Sequence, residues 1–193
     1  MPYLTRPVLP AGTLSRDPQP TLPTGDGLVL RPWRTEDAPA VHAAFQDPVM
    51  HQWHIRTADS EEEVRGWIAE WQQAWEHERA VQWAVADAAG ERLLGRVALR
   101  EIQLGDGVAE VAYWTTAAAR GRGVAARATR TLARWALDGI GFQRLELSHA
   151  VANEASCRVA RKAGFALEGT KRSALLHPDG WHDMHLHARV RGD

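Results

Sequence analysis

The sequence predicts an α/β domain in which a mixed sheet of about seven strands carries helices on both faces. Three observations predict it. Seven short apolar or alternating runs read as strands, apolar residues recur at helical spacing between several of them, and a strand–helix–strand unit falls in the second half of the chain.

The first strand candidate is Leu28-Val29-Leu30-Arg31-Pro32-Trp33, ended by a proline that suits an edge or a strand end. A helix follows, with Thr35 as N-cap, Glu36 and Asp37 in the first turn, and Val41, Ala44 and Phe45 as its buried stripe. Asp47-Pro48 ends it and leaves His51, Trp53 and His54 in a loop. A second helix opens on the capping box Ser60-Glu61-Glu62-Glu63, and its Trp67, Trp71 and Trp75 share one face. Two alternating runs, Val81 to Asp87 and Arg92 to Ile102, form an antiparallel hairpin across Ala88-Ala89-Gly90-Glu91. Gly105-Asp106-Gly107 turns the chain into a third run, Val108 to Trp114. Beyond an Arg/Gly loop comes a helix with Val124, Ala128, Leu132, Trp135 and Ala136 on one side and Arg127, Arg130 and Arg134 on the other. Gly139 and Gly141 stop it, Arg144 to Val151 is the next strand, and Asn153 caps a helix that ends at Gly164. Two last strands, Phe165 to Thr170 and His182 to Val190, flank the turn His177-Pro178-Asp179-Gly180.

A length of 193 residues suits one domain, placed at 26–193. Six of the ten prolines lie between Pro2 and Pro23, so residues 1–25 read as a proline-rich arm, either unstructured or packed on the domain or a neighbour. A formal net charge of −1 offers no global field for nucleic acid or an anionic membrane, so neither is an expected partner. Cys157 is the single cysteine, which excludes an internal disulfide and fits a reducing cytoplasm. The N-terminus lacks a signal-peptide pattern, and no run approaches the ~18 apolar residues of a membrane span.

The chemistry concentrates in Arg120-Gly121-Arg122-Gly123-Val124-Ala125. Between a strand and a helix, its free N–H groups and the helix N-terminus make an anion cradle, with glycines for close approach and arginines for local charge. No Gly-Lys-Ser/Thr follows, and the three-glycine dinucleotide spacing is absent, so it is neither a Walker loop nor a Rossmann fingerprint. Taken alone, a solvated basic loop is the competing reading.

Arg120-x-x-Gly123-x-Ala125 resembles the Gln/Arg-x-x-Gly-x-Gly/Ala signature of the GNAT superfamily of N-acetyltransferases. Glu110-Val111-Ala112-Tyr113-Trp114 is similar to that family's fourth strand, Asn153-x-x-Ser156 to its fourth-helix start, and Gly164-Phe165-x-x-Glu168-Gly169 to its entry into the sixth strand. The resemblance runs from Leu28 to Val190 and is greatest to the subfamily that acetylates ribosomal-protein N-termini (alanine or serine), which also holds small-molecule and antibiotic acetyltransferases. It implies the GNAT acyl-CoA N-acyltransferase fold with a mostly antiparallel sheet, acetyl-CoA as cosubstrate, and direct attack by a primary amine in a ternary complex. It also implies that the fourth and fifth strands splay. Val111, Ala112 and Tyr113 would then meet pantetheine through main chain, and Arg120, Gly121, Arg122, Gly123, Val124 and Ala125 the pyrophosphate. Arg122 or Arg127 would meet the 3′-phosphate, although Arg127 also reads as an exposed helix residue. Asn153 would position the pantetheine amides, and Ser156 would protonate the departing thiolate.

An amine attacks a thioester only when neutral, which calls for a base, and Glu110 is the candidate. Its alternative is a structural carboxylate paired with an arginine. The subfamily's Glu beyond the Glu-Gly pair has no counterpart in Lys171-Arg172-Ser173-Ala174-Leu175-Leu176, which leaves the acceptor open between peptide N-termini and small amines. His51, Trp53 and His54 are acceptor-site candidates, while the tryptophan trio reads as core. His177, His182, His185 and His187 lack an acid–His motif and Cys157 reads as a small apolar filler, so no metal is expected. A non-catalytic acyl-CoA-binding sensor is the competing function, and a homodimer is permitted rather than required.

Overall fold

Pairing begins in the arm, where β1 (Leu22–Pro23) lies antiparallel to β2 (Leu28–Arg31), which stops at Pro32. The computed structural model describes residues 4–193, so the first three residues of the arm lie outside it. A 3-10 turn at Thr35–Asp37 leads into α1 (Ala38–Phe45). Thr35 is not the expected cap. Asp37 does the work there, accepting the Arg34 N–H at 2.9 Å and both Arg31 guanidinium nitrogens. His51, Trp53 and His54 do not form the expected loop either, because Asp47 accepts the Val49 N–H and Pro48 starts α2 (Pro48–Trp53), with His54 as its C-cap.

In α3 (Glu61–Glu76) the Ser60 hydroxyl accepts the Glu63 N–H at 3.1 Å, while the Glu63 carboxylate reaches back one residue further than a closed box, to the Asp59 N–H. Then come β3 (Val81–Asp87), β4 (Leu93–Gln103), β5 (Val108–Thr115), α4 (Val124–Arg134) with a π-helical turn at Trp135–Ile140, and β6 (Arg144–Ala150). The chain finishes in α5 (Glu154–Lys162), β7 (Ala166–His177) and β8 (Gly180–Val190). β7 outruns its expected end at Thr170, because the stretch beyond pairs with β8 past an irregularity between Lys171 and Leu175. Most of β7 is exposed, so it carries no hydrophobic period to read.

The eight-stranded sheet has the order β1-β2-β3-β4-β5-β6-β8-β7. Every pair is antiparallel except β5 with β6, whose crossover is α4. One core lies between the sheet and α4 with α5, built on Trp83, Leu132, Phe142, Leu145, Leu147 and Phe165. The other lies under α1–α3 and includes Trp33, Phe45, Trp67, Ile68 and Trp114. The tryptophan trio is core: Trp67 and Trp71 pack in the second layer and Trp75 in the first, so α3 ties the two together.

The arm packs on the first core through buried Leu9 and Leu14. The Glu78 carboxylate accepts the N–H groups of Gly12 at 2.6 Å and Leu14 at 2.5 Å, and the Trp83 indole donates to the Pro20 carbonyl at 2.8 Å. Charge-assisted bonds of this kind hold an element with no period of its own. Among the described residues no helix is long and apolar enough to cross a membrane.

Candidate active site

β5 and β6 pair only over Val108–Glu110 with Arg144–Glu146. Beyond Glu110 the strands part, and the facing main-chain groups of Val111, Ala112 and Tyr113 have no strand on that side. An unpaired edge inside a sheet is costly unless water or a ligand satisfies it, so the fork is a slot for an extended group bearing amides.

Two helix N-termini lie beyond the fork. Gly121 (φ 72°) and Gly123 (φ 73°) both adopt the left-handed conformation, which turns the chain from β5 into α4. The first N–H of this segment to reach a carbonyl is that of Arg127, bonded to Gly123 at 3.1 Å. The N–H groups of Gly121, Arg122, Gly123, Val124 and Ala125 are therefore free for an anion. Arg120 turns its side chain to Asp47 at 2.7 Å and its N–H to the Ala117 carbonyl at 3.2 Å, so neither is offered to the expected pyrophosphate. Arg127 is held by Asp26, through the carboxylate at 3.3 Å and the carbonyl at 3.0 Å, which leaves Arg122 as the exposed cation of the loop. At α5 the Asn153 side chain accepts the Ser156 N–H at 3.0 Å. The Tyr113 hydroxyl donates to the Ser156 carbonyl at 3.4 Å, and burial pushes its pKa up to about 12.

The opposite face of the fork is built differently. Glu110 is the last residue of β5 paired with β6, and its Oε1 accepts from Arg100 at 3.0 Å. It lines a cleft of about 80 Å³ with Gln103, Glu146, Ser148 and Lys171. Strand alternation puts Glu110 with Ala112 and Trp114 on the α1–α3 side, and Tyr113 with Val111 on the α4–α5 side. The two candidate catalytic residues thus address the fork from opposite faces.

The acceptor-site candidates divide. His51 Nε2 lies 2.6 Å from the Phe45 carbonyl and serves the local backbone. Trp53 meets the rings of His177 and His182, docking α2 on the β7–β8 turn. His54 packs edge-on to Phe45, with ring centroids 5.3 Å apart. Burial, then the positive fields of Arg96, Arg100 and Arg56, hold its pKa down at about 4. The unfolded chain takes a proton near 6.5 and the folded one only near 4, so stability falls as pH drops through that interval. A His54→Phe variant is expected to lose less stability than the wild type between those pH values, measured as the difference in urea midpoint. Equal losses would show that this ring does not carry the effect.

Sequence reasoning missed two groups. Arg96 lies across from Trp114, donates from Nε to Gln82 at 2.6 Å and sits 5.4 Å from the Trp71 ring, with its pKa lowered to about 10 by burial and then by Arg100 and Arg56. Its signal was a charge inside the alternating run of β4. The second group is His149, Cys157, His185 and His187, whose possible ligand atoms all lie within 4.8 Å of one another. No acid–His motif is involved, and the sequence reading of His185 and His187 did not include His149. His185 and His187 share a face of β8, His149 of β6 lies directly across from His185, and α5 lays Cys157 on top. Burial pushes the pKa of His149 and of His187 down and outweighs the carbonyl that each ring faces, which acts to raise it.

Residues 27–166 match the family model described as the Acetyltransferase (GNAT) domain. An uncharacterized N-acetyltransferase of Bacillus subtilis, YoaA, is 24% identical over 86% of this chain and 94% of its own. The ribosomal-protein-serine acetyltransferase of Escherichia coli is 28% identical over 52% of this chain and 56% of its own. Among solved structures, RimL, a ribosomal L7/L12 alpha-N-protein acetyltransferase in complex with coenzyme A, superposes with a TM-score of 0.80 at 22% identity, covering 89% of this chain and 98% of that one. The microcin C7 self-immunity acetyltransferase MccE, in complex with acetyl-CoA and AMP, gives 0.81 at 19% identity, covering 86% and 94%.

Proposed function

The chain belongs to the GNAT acetyltransferase family, and from that premise we propose that it moves the acetyl group of acetyl-CoA onto a primary amine, with a peptide N-terminus as the favoured acceptor, by direct attack in a ternary complex. The observation that carries this reading is the fork between β5 and β6, with its open main chain leading to two helix N-termini. Pantetheine extends along Val111, Ala112 and Tyr113, its amides completing the β5 edge, while the pyrophosphate rests on the N–H groups of residues 121–125. Arg122 is placed to meet the 3′-phosphate. The thioester then lies in the fork, with the amine arriving from the α1–α3 side. Two relatives whose names specify ribosomal proteins support the peptide acceptor.

Glu110 takes the proton of the attacking ammonium, directly or through water in its cleft. Arg100 fixes Oε1, and Oε2 has no protein partner among the described residues. The Ser156 hydroxyl returns a proton to the thiolate of CoA. Purified protein is expected to release thiol from acetyl-CoA in the presence of one class among N-terminal peptides, polyamines and aminoglycosides. Glu110→Gln is expected to lower kcat about 100-fold with little change in acetyl-CoA affinity. Tight CoA binding without release across the panel would favour the sensor reading; an unaffected Glu110→Gln would remove the base assignment and leave the fold of the cofactor slot untouched.

A further inference from the structure

We propose that His149, His185, His187 and Cys157 form a site for one divalent transition-metal ion of the zinc class, which clips α5 to β6 and β8 behind the cofactor fork. The four residues come from three elements, and one ligand atom of each lies within 4.8 Å of all the others. Three imidazoles and one thiol form a donor set that zinc takes in four-coordinate, tetrahedral sites.

His149 Nδ1 lies 2.8 Å from the Ala150 carbonyl oxygen, and His187 Nδ1 lies 3.3 Å from that of Phe165. A carbonyl only accepts, so each Nδ1 carries its proton and each neutral ring presents a bare lone pair at Nε2. Those two Nε2 atoms face one another at 3.2 Å. Two facing lone pairs need something between them, either a proton or a metal ion. A bridging proton would leave an imidazolium buried without a carboxylate in contact, next to Arg161, which is a costly arrangement. A metal ion takes both lone pairs at once. Two nitrogens bound at about 2.05 Å to a tetrahedral ion stand about 3.3 Å apart, close to the separation observed.

The other two ligands are also poised. His185 Nδ1 is buried with no hydrogen-bond partner among the described residues, and its ring lies 5.4 Å from that of His149. Cys157 Sγ accepts from Arg161 at 3.3 Å, which fixes the sulfur over the histidine rings. The two Nδ1–carbonyl contacts supply the outer support that orients ligating histidines. Cys157 directly follows Ser156, so the ion would hold the turn of α5 that faces the fork.

The test uses the full-length chain without a histidine tag, stripped with EDTA and titrated with Co²⁺ and then Zn²⁺. One Co²⁺ per chain is expected, with the intense visible bands of a tetrahedral ion and a thiolate-to-cobalt charge-transfer band, both abolished by one equivalent of Zn²⁺. Cys157→Ser is expected to lose the charge-transfer band, and His185→Ala to weaken Zn²⁺ binding at least about 10-fold. His177→Ala, in the separate cluster with Asp179 and His182, is expected to bind as the wild type does. The wild-type titration needs no variant to fold. No stoichiometric Co²⁺ spectrum from the wild type overturns the proposal, as does a charge-transfer band that survives Cys157→Ser, or binding lost in His177→Ala but kept in His185→Ala.

Discussion

Ser156→Ala is expected to lower kcat for amine acetylation on the order of 100-fold while acetyl-CoA affinity stays within about 2-fold. The serine side chain does little for the fold. Its backbone N–H satisfies the Asn153 cap, and its carbonyl accepts from Tyr113, and alanine preserves both. Its hydroxyl makes no hydrogen bond among the described residues. Alanine in a first helical turn is well tolerated, so stability should hold. What disappears is the hydroxyl in the first turn of α5, which on the proposed mechanism protonates the departing thiolate, and a thiolate that leaves unprotonated raises the barrier. Turnover and CoA binding measured on the same preparation check this. Tyr113 is the rival donor, since burial keeps its hydroxyl protonated up to about pH 12. If Ser156→Ala turns over normally and Tyr113→Phe does not, the proton comes from the tyrosine. If both retain full activity, protonation by the protein is not rate-determining.

The central strands were legible because their period was uninterrupted: Val81–Asp87 and Val108–Thr115 alternate against two cores and appear where the pattern puts them. The turn from β5 into α4 was legible because its glycines have a conformational reason, the positive φ at 121 and 123. What failed was local or tertiary. Thr35 looked like a cap because it precedes two acids, yet Asp37 took over through Arg31, a residue on a different element. The short helix α2 had its signal in Asp47-Pro48, a pair that ends one helix and starts the next. The far half of β7 is exposed until Leu175 and His177 turn inward at its end, too short a run for a period to mark it. The histidine cluster was half visible: two ligands lie two residues apart on one strand, but the register of β6 on β8 and the seating of α5 are tertiary facts. Arg120 and Arg127 show the same limit, since neither Asp47 nor Asp26 is near them in sequence.

Asp37→Ala is expected to destabilise the protein by about 3–5 kcal/mol, the largest loss foreseen for a single substitution away from the fork. Arg31 and Asp37 are 4% and 6% exposed, and their side chains meet in two parallel contacts of 2.8 and 2.7 Å. Two more guanidinium N–H groups go to the carbonyls of Gly90 at 2.7 Å and Pro32 at 3.1 Å, so four of the five are bonded. Removing the carboxylate strands a cation out of water and orphans the Arg34 N–H, and neither can be rehydrated without opening the start of α1. The urea midpoint should fall with the m-value unchanged, and Tm by roughly 10 °C for a chain of this size. The double variant Arg31→Met/Asp37→Leu should recover more than half of the loss, because an apolar pair removes the stranded charge as well as the bond. A single-variant cost below about 1 kcal/mol would mean that water reaches Arg31. The pair also bears on activity. It fixes the junction of β2 with α1, and α1 packs with α3 over the face of the sheet that carries Glu110 and Arg96. Variants that keep the fold but loosen this junction should raise KM for the amine before they touch acetyl-CoA binding, since the proposed cofactor slot lies against α4 and α5 on the other face.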